Sequence, residues 1–275
     1  MAIITLTTDF GEKDHFTGAV KGAIYTELPS AKIVDISHSI APFHITEASY
    51  IIKNAYKSFP DGSIHIIGVD SELTPENKHI ALKLDGHYFI CANNGILSLI
   101  ASEYVPEKIV EINIHDKVQS NFPVLDVFVK VAGHLSRGGT LEVIGKPIPE
   151  VKQIKEMEPL INSDQNQIKG NVIYIDNYGN VVTNISKKLF DKVGKGRKFT
   201  MHARTANFTE IYSTYSEAIN FDSEVISRED GKKLAIFNSG GYIELAIYKS
   251  NPSTVGSAAS LFGLEYRDTV TVNFS

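Results

Sequence analysis

Cysteine is almost absent. Cys91 is the one thiol in 275 residues, so no disulfide framework forms within the chain, and this usage suits a reducing compartment. It lies in the apolar run Tyr88–Ala92 and reads as a small buried side chain rather than a nucleophile. Long apolar runs are missing too: no 18 consecutive apolar residues occur, and the first residues lack the basic start and apolar stretch of a signal peptide. The expectation is a cytoplasmic protein with no membrane partner. Positive charge is in deficit, with 27 Lys and Arg against 32 Asp and Glu and a formal net charge of -5. The absence of any basic stripe argues against a nucleic-acid partner. No glycine-rich phosphate loop with a trailing lysine, no Gly-x-Ser-x-Gly elbow and no His-Glu-x-x-His pair is found. Nucleoside triphosphate, acyl-enzyme and metal chemistry are therefore unsupported, and no cofactor or metal is expected. Asp9-Phe10-Gly11 matches the kinase magnesium triplet, but its companion loops are missing.

What is present is ordinary soluble composition, 43% hydrophobic and 21% charged, in a chain long enough for two packed domains. Ile3–Thr8 is an apolar strand, residues 14–28 carry Phe16, Val20, Ala23, Ile24 and Leu28 at helical spacing, and Ile33–Ile36 is a second strand, which together make a parallel crossover unit. A second helical pattern covers 44–57 and leads to the strand Ile64–Asp70. Strands at 79–84 and 88–92 follow, joined by the hairpin signal Asp85-Gly86. Asn93-Asn94-Gly95 then turns into a short helix ending at Ile100, 109–112 is a strand, and 125–135 is a helix. The section 146–168, with three prolines and a polar stretch, reads as a linker. Beyond it come short alternating runs at 170–176, 181–185, 197–203, 208–212, 233–237, 242–248 and 268–274, with helical patches near 187–192 and 255–261. The predicted architecture is an α/β N-terminal domain with a mostly parallel sheet, residues 1–160, and a smaller C-terminal antiparallel β-barrel-like domain, residues 168–275.

Asp9, Asp14, Asp70 and Asp176 all fall at strand ends or on turns. Such a carboxylate alone is more often a turn former or cap. Four of them suit a ligand rich in hydroxyls or positive charge. The carboxyl end of a parallel sheet is also where open α/β folds bind ligands. A second dense stretch, Asp176 to Asn184, reads either as an ordinary hairpin or as a base-binding corner, with Tyr178 stacking on a ring and the Asn180 amide reading its polar edge. His38, His44, His65 and His134 lie in or beside apolar segments and suit satisfied core or cap roles.

Taken together, Thr7–Gly11 with Asp14 and Gly18, Val34–His38 with Pro42, Val69-Asp70, Asn93–Gly95, Ile175–Asn184, Asn238–Ala246 and Gly256–Ala259 resemble one family in order and over nearly the whole chain. It is the S-adenosylmethionine hydroxide adenosyltransferases, or SAM hydrolases, related to the fluorinases and chlorinases. The resemblance implies a homotrimer with sites between the N-domain of one subunit and the C-domain of the next, and a small adenosyl compound as substrate. By that analogy Asp9 holds the ribose hydroxyls, Asp14 and Asp176 the methionine amino group, Tyr178 and Asn180 the adenine, Phe43 packs beside the ribose, and Ser239 touches the methionine carboxylate. Asp70 becomes the catalytic residue, orienting a water for in-line attack on the ribose C5′, which gives adenosine and methionine.

The sequence departs from this pattern at the nucleophile. Hydrolases of the family pair the aspartate with an arginine seven residues on and with a histidine in a Phe-His-Gly-Arg-Asp segment. Here those positions read Asn77 and, in Phe122–Asp126, Pro123. Lys78 and His79 are the nearby candidates to replace them, although a lysine does not reproduce a guanidinium fork. The alternative expectation is therefore a non-hydrolytic adenosyl binder or sensor. A halogenase is not expected: Asp70 and Leu73 stand where the fluorinase has Tyr and Thr, and Gly240 where halogenating members place an arginine.

Overall fold

A computed structural model describes residues 3–101, 104–114, 120–222 and 229–275. The chain divides into two compact units, residues 1–155 and 156–275. The first contains β1 (Ile3–Thr8), α1 (Phe16–Glu27), β2 (Lys32–Ser37), α2 (Ile45–Ala55), β3 (Ile64–Gly68), β4 (His79–Leu84), β5 (His87–Ala92), α3 (Ile96–Ile100), β6 (Lys108–Ile112), α4 (Val129–Ser136), α5 (Leu141–Ile144) and β7 (Gly145–Pro147). A π-helical turn, Val124–Phe128, leads directly into α4.

These strands form one sheet in the order β2-β1-β3-β5-β4-β6-β7. Pairing is parallel from β2 to β5 and antiparallel from β5 onward. The direction reverses at Asp85-Gly86, where φ is +49° and +77°, the two positive values that a tight hairpin turn demands. The sheet is thus mixed, and its parallel half presents the kind of strand-end edge at which open α/β sheets bind ligands. The chain leaves β1 for β2 on one side and returns as β3 on the other, so the topological switch point lies between β1 and β3.

Alternation along the strands sends residues to two cores. Ile4, Leu6, Ile64 and Ile66 pack with Val20 and Ile24 of α1 and with Val131 and Ala132 of α4. Ile67, Phe89 and Cys91 pack with Ala48 and Ile52 of α2 and Ile96 and Leu97 of α3. Helices cover both faces, which is why strands in the middle of the sheet are buried along nearly their whole length rather than on alternate residues.

Between the layers, on the α2 face, sits a buried polar group. His65 Nδ1 lies 2.7 Å from Thr5 Oγ1 and its Nε2 lies 3.1 Å from His87 Nδ1, while its ring stacks on Phe89 at 4.8 Å. Burial, with His87 beside it, pushes the His65 pKa down to about 3, and burial also lowers that of His87 against the pull of Asp61 and Asp85. A depressed histidine binds fewer protons folded than unfolded, so stability rises with pH between the folded and the unfolded pKa. We expect stability to be level above pH 6.5 and to fall as pH drops toward 3, by about 1.4 kcal/mol per unit for the His65 proton alone. Urea unfolding across that range reads the slope, and His65→Asn flattens it.

The second unit contains β8 (Leu160–Ile161), β9 (Gln167–Ile175), β10 (Val181–Ser186), α6 (Lys187–Gly194), β11 (Phe199–Ala203), β12 (Ala206–Phe208), β13 (Lys233–Phe237), β14 (Tyr242–Ile247), α7 (Ala258–Phe262) and β15 (Thr269–Phe274). Its strands pair antiparallel in the order β12-β11-β15-β9-β10-β14-β13, with β8 on β9, in a nearly barrel-shaped sheet. Ile168, Val172, Ile185, Leu245, Val270 and Phe274 fill its core. The run expected as a strand at 208–212 pairs earlier, as β12, and Tyr212 makes only a single bridge to Ile236. Among the described residues no helix is long and apolar enough to cross a membrane.

Candidate functional site

Asp9 directly follows β1 at the switch point. Its Oδ2 accepts the backbone N–H of Phe43 at 2.9 Å and that of Asp70, just beyond β3, at 3.4 Å. Both partners have left-handed backbones, with φ of +62° for Phe43 and +46° for Asp70. A side chain in that region costs on the order of 1–2 kcal/mol, so something must hold each residue there, and the Asp9 carboxylate is the shared anchor. Phe43 is 72% exposed. A strained backbone that places an aromatic ring in solvent gains nothing for the fold, which points to a ligand.

The rest of this edge is braced. Asn94 Nδ2 donates to the carbonyls of Val69 (3.1 Å) and Asp70 (3.2 Å), while its Oδ1 accepts from Ile96 N–H at 3.1 Å. Buried His38 contacts Thr8 Oγ1 through Nδ1 at 2.8 Å and Asp35 Oδ1 through Nε2 at 3.0 Å. Partial burial disfavours the Asp35 charge, yet the Lys21 ammonium at 2.5 Å and His38 together hold its carboxyl below the usual range. His38 is therefore a strut joining β1 to β2. Asp14 lies exposed in the bend before α1, which starts at Phe16 rather than at Asp14 itself. Of the four residues expected in this unit, Asp9, Phe43 and Asp70 are joined by hydrogen bonds and Asp14 stands apart from that network.

The segments around Asn77 and Pro123, where the sequence departs from the family pattern, are held by contacts distant in sequence. Asn77 Oδ1 accepts from Lys152 Nζ at 2.9 Å, and Lys152 N–H donates to Asn93 Oδ1 at 2.8 Å. Ile154 next to it covers Gly95, where an added Cβ would come within 2.6 Å of the Ile154 side chain. His79, considered above as a replacement partner for the water, is fully buried, with Nε2 2.9 Å from Ser71 O and its ring edge-on to Phe128. It braces the loop. Lys78 is exposed, and its carbonyl accepts from Asn93 N–H at 2.7 Å. Pro123 caps the π-helical turn beside Phe122, whose ring meets those of Phe10 and Phe16 at 5.5 Å each. The lysine that reaches Asn77 thus lies 75 positions along the chain, beyond what local spacing can reveal.

In the second unit the corner between β9 and β10 is organised by Asp176. Its Oδ1 accepts the N–H groups of Tyr178 (2.9 Å) and Asn180 (2.8 Å), and its Oδ2 accepts Asn180 Nδ2 at 3.0 Å. Gly179 has φ of +73°, and a Cβ there would sit 2.2 Å from Ser257 Oγ, so both conformation and space require glycine. The turn leaves Tyr178 67% exposed and Asn180 only 6% exposed. Ser239 is exposed in the hairpin turn between β13 and β14, where Asn238 Oδ1 accepts from Gly240 and Tyr242.

Two further residues belong to this corner. Asn180 Nδ2 also reaches Tyr215 Oη at 3.5 Å, the Tyr215 hydroxyl donates to Glu244 Oε1, and Asn238 Nδ2 donates to Glu244 Oε2 at 3.2 Å. Burial raises the Glu244 pKa, with Asp176 adding to it and the Tyr215 and Asn238 donors opposing. Burial and the Glu244 partner likewise raise the Tyr215 hydroxyl. A carboxylate inside the apolar run Tyr242–Ile247 was the one sequence signal for Glu244. Tyr215, in an irregular segment, gave none.

Residues 4–145 match the SAM hydroxide adenosyltransferase N-terminal domain and residues 170–271 the C-terminal domain. An (R)-S-adenosyl-L-methionine hydrolase from Methanocaldococcus jannaschii is 29% identical, over 98% of this chain and 95% of that protein. A fluorinase from Nocardia brasiliensis is 23% identical, over 89% of each. A crystal structure of an uncharacterized conserved protein from Thermotoga maritima superposes with a TM-score of 0.83 at 27% identity, covering 98% of this chain and all of that one. On these matches, in both halves and in order, the chain belongs to the SAM hydroxide adenosyltransferase family.

Proposed function

We propose that this protein hydrolyses S-adenosyl-L-methionine to adenosine and L-methionine. The observation that carries the reading is the Asp9 carboxylate at the switch point, tied to two strained residues, one an exposed aromatic ring and the other a second carboxylate. In this reading Asp9 receives the ribose hydroxyls, and Phe43 packs against the sugar. Asp14 and Asp176 face the methionine ammonium, Ser239 its carboxylate, and Tyr178 and Asn180 the base. Water held by Asp70 attacks C5′ opposite sulfur: a C–O bond forms, the C–S pair leaves with methionine as a neutral thioether, and the water proton passes through Asp70 to solvent. Positioning and removal of the sulfonium charge from water supply the rate, with no cofactor. The relatives named as SAM hydrolases support this assignment, and by the family analogy the active form is a homotrimer whose sites use both kinds of domain.

Incubation of purified protein with the substrate, followed by chromatography between pH 6 and 9, is expected to yield adenosine and methionine in equal amounts. Product at no more than the spontaneous rate at every pH rejects hydrolysis. A second reading, an adenosyl binder without turnover, is favoured by Asn77 engaged with Lys152 and by Pro123 at the start of the π-helical turn. Stoichiometric binding by calorimetry without product selects it, and Asn77→Arg combined with Pro123→His then raises turnover.

A further inference from the structure

The side-chain amide of Asn180 is held in one orientation from two sides. Asp176 Oδ2 is a carboxylate oxygen and accepts only, so the amide must turn its NH2 toward it. On the other side the chain of donors has a direction. Asn238 Nδ2 donates to one oxygen of Glu244 and the Tyr215 hydroxyl donates its only proton to the other. Tyr215 Oη then has lone pairs alone to offer Asn180, and takes the second Nδ2 hydrogen at 3.5 Å. Both hydrogens of the amide are committed. Its Oδ1 accepts from no described residue, although the residue as a whole is only 6% exposed. That oxygen is not sealed from solvent, so it stands as an acceptor of fixed direction open to a donor from a ligand.

We infer that Tyr215 and Glu244 are positioning residues that lock Asn180 as a hydrogen-bond acceptor and so select a purine with an amino group at position 6 over one with a carbonyl there. This rests on the adenosyl reading and deepens it. A 6-amino group donates to Asn180 Oδ1, whereas a 6-oxo purine brings an acceptor against an acceptor. Neither Tyr215 nor Glu244 need touch the base: Glu244 sets the hydroxyl, the hydroxyl sets the amide, and the amide reads the ligand. Because the Asp176 oxygens are tied into the same turn, base reading and placement of the Asp176 charge share one hydrogen-bonded unit.

The test is calorimetric titration of the full-length protein with adenosine and with inosine at pH 8. Wild type is expected to prefer adenosine by about 10- to 100-fold, the size of one buried acceptor left unpaired. Tyr215→Phe removes the second anchor, and Glu244→Gln turns a donor toward the Tyr215 oxygen and reverses the chain. In each variant the adenosine-to-inosine ratio is expected to fall by about fivefold or more while adenosine still binds, since a lost amide anchor is worth roughly one hydrogen bond. An unchanged ratio, or equal weakening of both nucleosides as a merely structural role would give, overturns the inference and leaves the adenosyl reading intact. Wild-type protein that binds neither nucleoside overturns both. Thermal unfolding of each variant confirms that it is folded, and the two substitutions act at different links, so one serves where the other fails to fold.

Discussion

Asp9→Ala and Asp176→Ala chains, each inactive alone, are expected to regain adenosine production when denatured and refolded together. Under the proposed arrangement a site draws Asp9 from one subunit and Asp176 from its neighbour, so a mixed assembly contains some sites with both acids intact. Chance pairing at 1:1 makes about a quarter of all sites whole in a closed ring of like interfaces. Sites built from a single chain would always carry one lesion, and mixing would recover nothing. Each lesion is severe for a reason visible in the hydrogen bonding. Without Asp9 the N–H groups of Phe43 and Asp70 lose their common acceptor, each bond to a charged oxygen being worth about 1.5–3 kcal/mol, and two left-handed segments relax. Without Asp176 the Tyr178 and Asn180 N–H groups and the Asn180 amide lose theirs. Activity of the mixture, against each variant refolded by itself, is the measurement.

Replacing Asp70 separates chemistry from conformation. Asp70→Asn is expected to lower kcat by about 10²- to 10⁴-fold, the range for loss of a positioned acid–base group, with KM changed only a few-fold because the sugar and base contacts lie elsewhere. Asp70→Gly should be as inactive yet better folded. At φ +46° glycine adopts the backbone without strain, and the gain is expected to be on the order of 1 kcal/mol in urea unfolding. An Asp70→Gly protein that is both less stable and fully active would show that this carboxylate serves the fold and not the reaction. Stability gained where activity is lost is the mark of a residue kept for function.

Most strands and helices of both units were legible because their signals are local, whereas α5 and the two- and three-residue strands β7 and β8, the latter pair at the stretch read as a linker, are too short to carry a period. Asp85-Gly86 announced its hairpin, and Val20 with Ile24 announced the buried stripe of α1. The ends of β1 and β3 could be named as a candidate ligand edge from their order alone, since a terminal aspartate after each apolar run repeats one pattern. The left-handed backbones of Phe43 and Asp70 could not: an aromatic residue rarely adopts that region, an aspartate does so only in some turns, and both are held by bonds from residues distant in sequence. Lys152 and Tyr215 were illegible for the same reason. Each acts on a partner 75 or 35 positions away, and an exposed lysine or tyrosine carries no mark of where folding will take it. His79 misled in the opposite direction: beside Lys78 in sequence it looked available, yet strand alternation turns it into the core.

The strap formed by Lys152 and Ile154 bears on how the molecule can be dissected. These residues come after the last strand of the first sheet, where a designer of a minimal fragment would cut, at β7. A piece ending at residue 148 would keep every strand and helix of that unit but lose the ammonium on Asn77, the backbone donor to Asn93 and the cover over Gly95. Such a truncation would also remove Val151 from the hydrophobic layer on the α2 face while its loops lost their lashing, and any loss of affinity would be misread as a missing second half. Expression boundaries for the isolated N-terminal piece therefore belong at or after Lys155.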